Sequence, residues 1–126
     1  MSKFSIPYLY NPGVLVGQIS PFLNSRIKKN VTSTDAKVNP YNHRLVSSIK
    51  ETYQTPRIPE LWKFIDDMFY VWKREFCVDS GKHQIFDVWT NYMKKGEFNP
   101  LHDHNGALAS FVLWVQIPFK AEDEKK

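Results

Sequence analysis

The sequence is poor in cysteine, in glycine and in long apolar runs. Of its 126 residues, one is a cysteine, Cys77, and five are glycines. A lone cysteine excludes an internal disulfide framework and is typical of proteins that fold in a reducing cytosol. No apolar stretch approaches the roughly 20 residues of a membrane-spanning helix, and the first residues lack the apolar core of a signal peptide. We therefore expect a cytoplasmic protein without a membrane partner.

Aromatic residues, in contrast, are abundant, with four Trp, six Tyr and nine Phe. A hydrophobic content of 42% with 24% charged residues is typical of a globular domain. The 17 Lys and Arg exceed the 13 Asp and Glu by four, but the charge is scattered and no dense basic run indicates a nucleic-acid partner. A chain of this length buries a core without disulfides, so we expect a single domain over residues 1–126.

The first half of the chain is expected to contain a strand, a loop and a helix. The apolar, β-branched run at residues 14–19 is bounded by turn residues and predicts a strand. Residues 24–39 are mostly polar and predict a loop with at most a helical turn. Apolar residues then recur at helical spacing between Asn39-Pro40 and Tyr53, which predicts a first helix.

A second helix is predicted from Pro59, because proline is favoured at the first helical position. Apolar residues follow at steps of three and four, which places them on one face of a helix. They are Leu61, Trp62, Ile65, Met68, Phe69, Trp72 and Phe76. A stripe of this kind is far more often a packing surface than a ligand-binding surface, and we interpret it as the face that packs on a sheet.

The last third of the chain changes to the period of two that is typical of strands. Residues 85–93 alternate between the two faces and predict a long strand. A turn is predicted at 94–97 and a tight turn at 105–106, where the sequence is Asn-Gly. Residues 107–117 predict another long strand, and a charged tail follows from residue 120. This order of elements predicts an α+β fold with helices packed on one side of an antiparallel sheet.

Two of the four histidines, His102 and His104, lie two positions apart. If this segment is extended, both side chains point to the same face and can converge on one metal ion, while Asp103 points away. Imidazole is a good ligand for iron, zinc, copper and nickel. Two surface histidines beside an Asn-Gly turn would give the same pattern, so the pair alone leaves metal binding and incidental exposure both open.

At this point the sequence resembles the iron(II)/2-oxoglutarate oxygenases that are common in phages and marine bacteria. These proteins carry the patterns W-x-N, K-x-G-x-F, H-x-H and L-S-x-V-x-Y, followed by a proline. The corresponding residues of this chain are Trp89, Asn91, Lys94, Gly96, Phe98, His102, His104, Leu108, Ser110, Trp114 and Pro118. Two positions depart from the pattern, since one residue separates Leu108 from Ser110 and Trp114 stands in place of the tyrosine. The resemblance is good over residues 89–118 and looser over 40–118, where the segment 42–45 fits the family's lead-in to a helix.

The resemblance implies an antiparallel double-stranded β-helix, a jelly-roll or cupin-like barrel. Residues 83–126 would be its first strands, and residues 1–82 a strand and helices that support them. It also implies iron(II) held by two histidines and usually a carboxylate, with 2-oxoglutarate as cosubstrate. The reaction would be the hydroxylation of a C–H bond, coupled to the decarboxylation of 2-oxoglutarate to succinate. The sequence does not indicate the substrate.

The site residues follow from the same resemblance. His102 would be the first metal ligand. The second would be either His104, in place of the usual carboxylate, or Asp103, turned inward by a local bulge, and strand geometry favours His104. Asn91 either bonds a carboxylate of the cosubstrate or is a core amide whose hydrogen bonds are satisfied, the second being the commoner case.

The resemblance is also incomplete, because the family's third metal histidine and its basic cosubstrate-binding residue lie far downstream of the first pair. No histidine or arginine follows His104 here. An eight-stranded barrel does not fit into residues 83–126, so we expect an N-terminal fragment that is inactive alone. Its open sheet edge would favour association of copies. The alternatives are a non-catalytic cupin-like metal- or ligand-binding module and a phage structural or interaction domain. If the gene is phage-borne, the location is the host cytoplasm.

Overall fold

The computed structural model describes residues 13–118, 120 and 122–123, which form a small α+β fold with two α-helices and a two-stranded antiparallel sheet. The elements are α1 (Pro21–Val31), β1 (Thr52–Gln54), α2 (Pro59–Glu75) and β2 (Trp89–Asn91), with 3-10 turns at Thr34–Ala36 and Asn42–Arg44. The α+β expectation is confirmed, whereas a jelly roll is not shown within these residues. No helix in the described ranges is long and apolar enough to cross a membrane. Most of the predicted charged tail lies outside the described residues.

Helix α1 occupies a segment that the sequence predicts as a loop, so that prediction is wrong. Its start is fixed by Ser20, whose Oγ accepts a hydrogen bond from the Leu23 N–H at 3.2 Å, and by Pro21 at the first helical position. Three residues at a spacing of four form its buried face: Leu23, Ile27 and Val31. The strand predicted at 14–19 is also wrong, since these residues lie in no helix or strand and Val16 is 86% exposed.

The helix predicted between Asn39 and Tyr53 is replaced by a 3-10 turn and strand β1. The side chain of Asn42 explains the difference. Its Nδ2 donates to the carbonyls of Ile49 (2.6 Å) and Lys50 (3.1 Å), and its Oδ1 accepts from the N–H of Thr52 at 3.3 Å. An asparagine that satisfies backbone groups in this way stabilises a loop in place of a helix.

Helix α2 begins at the predicted residue and ends at Glu75, so this prediction is confirmed. The start of α2 packs against the buried face of α1. The buried core cluster consists of Leu23, Ile27, Val31, Ile58 and Leu61. At its edge Arg26 and Glu60 form an ion pair at 3.1 Å, which contributes little because both side chains are exposed to solvent. The core therefore lies between the two helices.

The sheet is shorter than the sequence predicts. β1 and β2 pair in the register Thr52↔Asn91, Tyr53↔Thr90 and Gln54↔Trp89. Further backbone hydrogen bonds extend the ladder by one bond at each end, but Pro56 then stops β1, since proline has no N–H to donate. The long strand predicted over 85–93 is therefore reduced to three residues. The strand predicted over 107–117 is not formed within the described part of the chain, where it has no pairing partner.

Candidate metal centre

The structure brings the imidazoles of His102 and His104 together. Their ring centroids are 5.0 Å apart and the ring planes are inclined by 71°. Because a ligating nitrogen lies about 2.0–2.1 Å from its ion, the centres of two rings sharing one ion would lie roughly 4.5–5.2 Å apart. The observed separation is therefore compatible with a shared ion. Both side chains are exposed, so an ion from solvent can reach them.

The tautomer of His102 is set by the backbone. Its Nδ1 lies 2.7 Å from the carbonyl oxygen of Pro100. A carbonyl can only accept a hydrogen bond, so Nδ1 carries the hydrogen and donates it. In the neutral ring this leaves a lone pair on Nε2. Ligating histidines commonly donate their other ring N–H to a backbone carbonyl in the same way, which fixes the ring orientation and raises the basicity of the ligating nitrogen.

Two hydrogen-bonded segments hold the pair in place. Upstream, the Ser48 hydroxyl donates to the Phe98 carbonyl and accepts from the Phe98 N–H, both at 2.7 Å. Downstream, the Asn105-Gly106 turn is closed by a hydrogen bond from the Ala107 N–H to the His104 carbonyl at 3.0 Å. Gly106 has a φ of +81°, which a glycine adopts without strain. The predicted tight turn is therefore confirmed, and it directly follows the histidine pair.

His104 also contacts a stack of aromatic rings that the sequence does not predict. Its ring centroid is 6.0 Å from that of Trp89 in β2. Trp89 in turn stacks on Tyr41 at 5.3 Å, with the ring planes only 13° apart, and Tyr41 is 6.4 Å from His43. Three of the four histidines are thus linked by one series of ring contacts. Its contribution to the site is to restrict the position of His104 from one side.

Tyr41 is the buried member of this stack, with 7% of its surface exposed. Burial, followed by a hydrogen bond to the carboxylate of Asp87, raises the pKa of the Tyr41 phenol. The Arg44 guanidinium, 5.6 Å from the ring centroid, partly opposes this increase in the pKa. Tyr41 is therefore neutral at physiological pH and acts here as a packing residue.

Asn91 lies in β2, directly opposite Thr52 in β1. Its Oδ1 accepts a hydrogen bond from the Thr52 hydroxyl at 2.9 Å, and Thr52 is completely buried. This contact is the arrangement expected of a core amide, and it uses the acceptor side of Asn91. The amide nitrogen remains as a donor.

Asp103 lies between the two histidines in the chain and is exposed. Within the described ranges it makes no hydrogen bond or ion pair, so nothing turns its carboxylate toward the pair. The same ranges contain no group of three His, Cys, Asp or Glu side chains placed to hold one ion. The two imidazoles therefore supply only part of the donor set that the resemblance implies.

Sequence reasoning missed Tyr41 and Asp87 as neighbours of the candidate site. Neither belongs to a recognisable motif, and Tyr41 fell in a segment predicted to be helical. The alternation of residues 85–93 did place Asp87 and Trp89 on one strand face, but their partner lies far away in the chain. Comparison of the chain with protein-family models, with curated proteins and with solved structures finds no match.

Proposed function

We propose that the chain binds a divalent transition-metal ion through His102 and His104, and that this ion is the iron(II) of a 2-oxoglutarate-dependent oxygenase. The observation that carries the proposal is the paired imidazoles, one of which donates its Nδ1–H to the Pro100 carbonyl at 2.7 Å. Imidazole is a ligand that iron(II) accepts, and two histidines leave positions open for cosubstrate and water. Bound iron(II) would supply oxygen activation coupled to the decarboxylation of 2-oxoglutarate.

The residues around the pair have separate roles in this proposal. Pro100 orients His102 through its carbonyl, and Trp89 limits the movement of His104. Asn91 can bind a cosubstrate carboxylate only through its amide nitrogen, because the amide oxygen is an acceptor, like the carboxylate, and already accepts a hydrogen bond from Thr52. A jelly-roll oxygenase would also need further strands and a third ligand, which the described residues do not provide.

A second candidate is a metal-binding module without oxidation chemistry. The exposure of both histidines favours it, since oxygenase chemistry needs a site from which water is excluded. Both candidates include a location in the reducing cytoplasm, which would keep iron in its divalent state. Both also include an association of copies of the chain.

Titration of the metal-free chain with cobalt(II) tests both candidates. We expect saturable binding of one ion per chain, with visible absorption bands and a change in the fluorescence of Trp89, whose ring contacts His104. If the ion is held as in an oxygenase, added 2-oxoglutarate should shift the cobalt bands, because it occupies open positions of the ion.

Two results would decide between the alternatives. Saturable cobalt(II) binding with bands that 2-oxoglutarate leaves unchanged would support the metal-binding module and contradict the oxygenase. Cobalt(II) binding that never saturates, with no change in fluorescence, would contradict both and favour an interaction domain in which the histidines are incidental.

A further inference from the structure

The segment 109–117 exposes an apolar face that the rest of the chain does not cover. Its two sides differ: Leu113 and Val115 are half-buried and pack against the core cluster, whereas Val112 and Trp114 are 76% and 68% exposed. Burial alternates from residue 112 to residue 116. This is the burial pattern of a strand that lies on a core with one face and presents the other to solvent.

The backbone of this segment is also free to pair. Within the described residues, no hydrogen bond involves the backbone or side chains of residues 109–117. A run of unpaired N–H and C=O groups along an extended apolar segment is a template for another strand. Exposed apolar side chains by themselves would indicate only a hydrophobic interaction surface. Because the backbone of the segment is unpaired as well, the segment is suited to pairing with another strand.

The order of residues in the segment makes it complementary to itself. Two copies can be placed antiparallel with Leu113 of one copy opposite Leu113 of the other. Each residue before Leu113 then faces the residue that lies equally far after Leu113 in the other copy. Val112 then faces Trp114, a β-branched residue against an aromatic ring, which is a favourable cross-strand pair. The two polar residues, Ser110 and Gln116, face each other, and Phe111 faces Val115. Apolar residues meet apolar residues and polar meet polar throughout.

Charge does not oppose this pairing. The chain carries a net charge of +4, so two copies repel each other weakly at long range. Residues 107–118, however, contain no Lys, Arg, Asp or Glu. Pairing through this segment therefore brings no like charges opposite one another, which would be destabilising in an antiparallel ladder.

We propose that two copies of the chain associate through segment 109–117, as an antiparallel strand pair with Leu113 on the two-fold axis. Such an axis makes the interface isologous, so that it closes at two copies. The side chains that become covered are about half to three-quarters exposed in the single chain: Phe111, Val112, Trp114 and Ile117. At roughly 100 Å² each, the eight side chains of two copies would cover about 800 Å², which is less than a standard specific interface buries, so the dimer is expected to be weak and to dissociate on dilution.

Sedimentation of the full chain over a range of concentrations tests the proposal. We expect a monomer–dimer equilibrium that Val112→Asp weakens at least tenfold, since the carboxylate would face an indole and lose its hydration. The matched control is Val46→Asp, because Val46 is similarly exposed (70%) but lies outside the segment. Circular dichroism of both variants shows whether each keeps its helices.

The register has its own test at Ser110 and Gln116, which are both exposed. The double variant Ser110→Lys/Gln116→Glu places opposite charges across the proposed interface and should dimerise at least as tightly as the parent chain. Ser110→Lys/Gln116→Lys places like charges there and should weaken the dimer.

Several outcomes would overturn the proposal. They are a monomer at all concentrations, equal effects of Val112→Asp and Val46→Asp, equal behaviour of the two double variants, or assemblies that grow beyond two copies. If the chain is a monomer by itself and associates only with a longer form of the chain, segment 109–117 pairs with the additional residues and not with a second copy of itself. None of these results depends on metal, so the dimer and the metal site can fail separately.

Discussion

Replacement of His102 by alanine is expected to weaken cobalt(II) binding by at least about 100-fold, or about 2.7 kcal/mol. Loss of a residue that only orients a metal ligand typically costs 10- to 100-fold in affinity, so loss of one of two protein ligands should cost at least the upper value. His102 is exposed, and its Nδ1 bonds only to the nearby Pro100 carbonyl, so the variant should fold normally. Calorimetric or absorbance titration gives the dissociation constants.

Two kinds of control accompany this variant. His43→Ala and His83→Ala remove imidazoles outside the pair; the Nε2 of His83 is already 2.7 Å from the Asp66 carboxylate. Neither should change the affinity for cobalt(II) by more than about twofold. Asp103→Ala separates the two possible second ligands: if His104 is the ligand, Asp103→Ala leaves binding intact. A loss of affinity in Asp103→Ala with none in His104→Ala would reverse that assignment.

Replacement of Ile27 by alanine is expected to lower the free energy of unfolding by about 3 kcal/mol. Ile27 is 1% exposed and lies in the core cluster between α1 and α2. Truncation removes its burial and leaves a cavity that neighbouring side chains fill only partly. Because domains of this size are stable by only about 5–15 kcal/mol, the loss is a large fraction of the total. Urea unfolding followed by circular dichroism measures the change.

Phe22→Ala is the matched control, since Phe22 is the large apolar residue of the same helix that is 73% exposed. Its removal should change the free energy of unfolding by no more than about 0.5 kcal/mol. If Phe22→Ala destabilises the chain as much as Ile27→Ala does, the packing of α1 against α2 is not as described.

Helix α2 could be predicted from the sequence because its signals are local. A proline at the first position and a broad apolar stripe both act within the helix itself, and tertiary contacts only have to agree with them. Helix α1 carried an equally local signal in Ser20-Pro21, a cap followed by a favoured first residue. Proline is equally common in turns, however, and the buried face of α1 consists of only three residues, so the apolar pattern is too short to predict a helix by itself.

The segment around Asn42 could not be predicted by periodicity, because a side chain decides its conformation. The apolar spacing before Tyr53 is helical, yet the Asn42 amide makes hydrogen bonds to the backbone from Ile49 to Thr52. Those bonds form only after the loop has closed. Strands depend on partners in the same way, and the β-branched and aromatic residues of 107–117 predict an extended segment without specifying what pairs with it.

In the candidate site, too, some features follow from the local sequence and others from contacts between distant parts of the chain. The proximity of His102 and His104 follows from their spacing, and the turn after them follows from Asn105-Gly106. The contact of His104 with Trp89, and of Trp89 with Tyr41, depends on the pairing of β1 with β2 and on the chain that precedes β1. Local patterns thus predict the two side chains proposed as ligands, and long-range packing supplies their surroundings.

We expect His102 and His104 to hold one ion together, a claim that the imidazole nitrogen resonances test most directly. In nitrogen-15 spectra of the full chain, addition of zinc(II) should shift the Nε2 of His102 and one ring nitrogen of His104 together, with a midpoint that both share. The Nδ1 of His102 should keep the signature of a protonated nitrogen bonded to Pro100. Unchanged resonances of this pair, or shifts confined to His43 and His83, would contradict the claim.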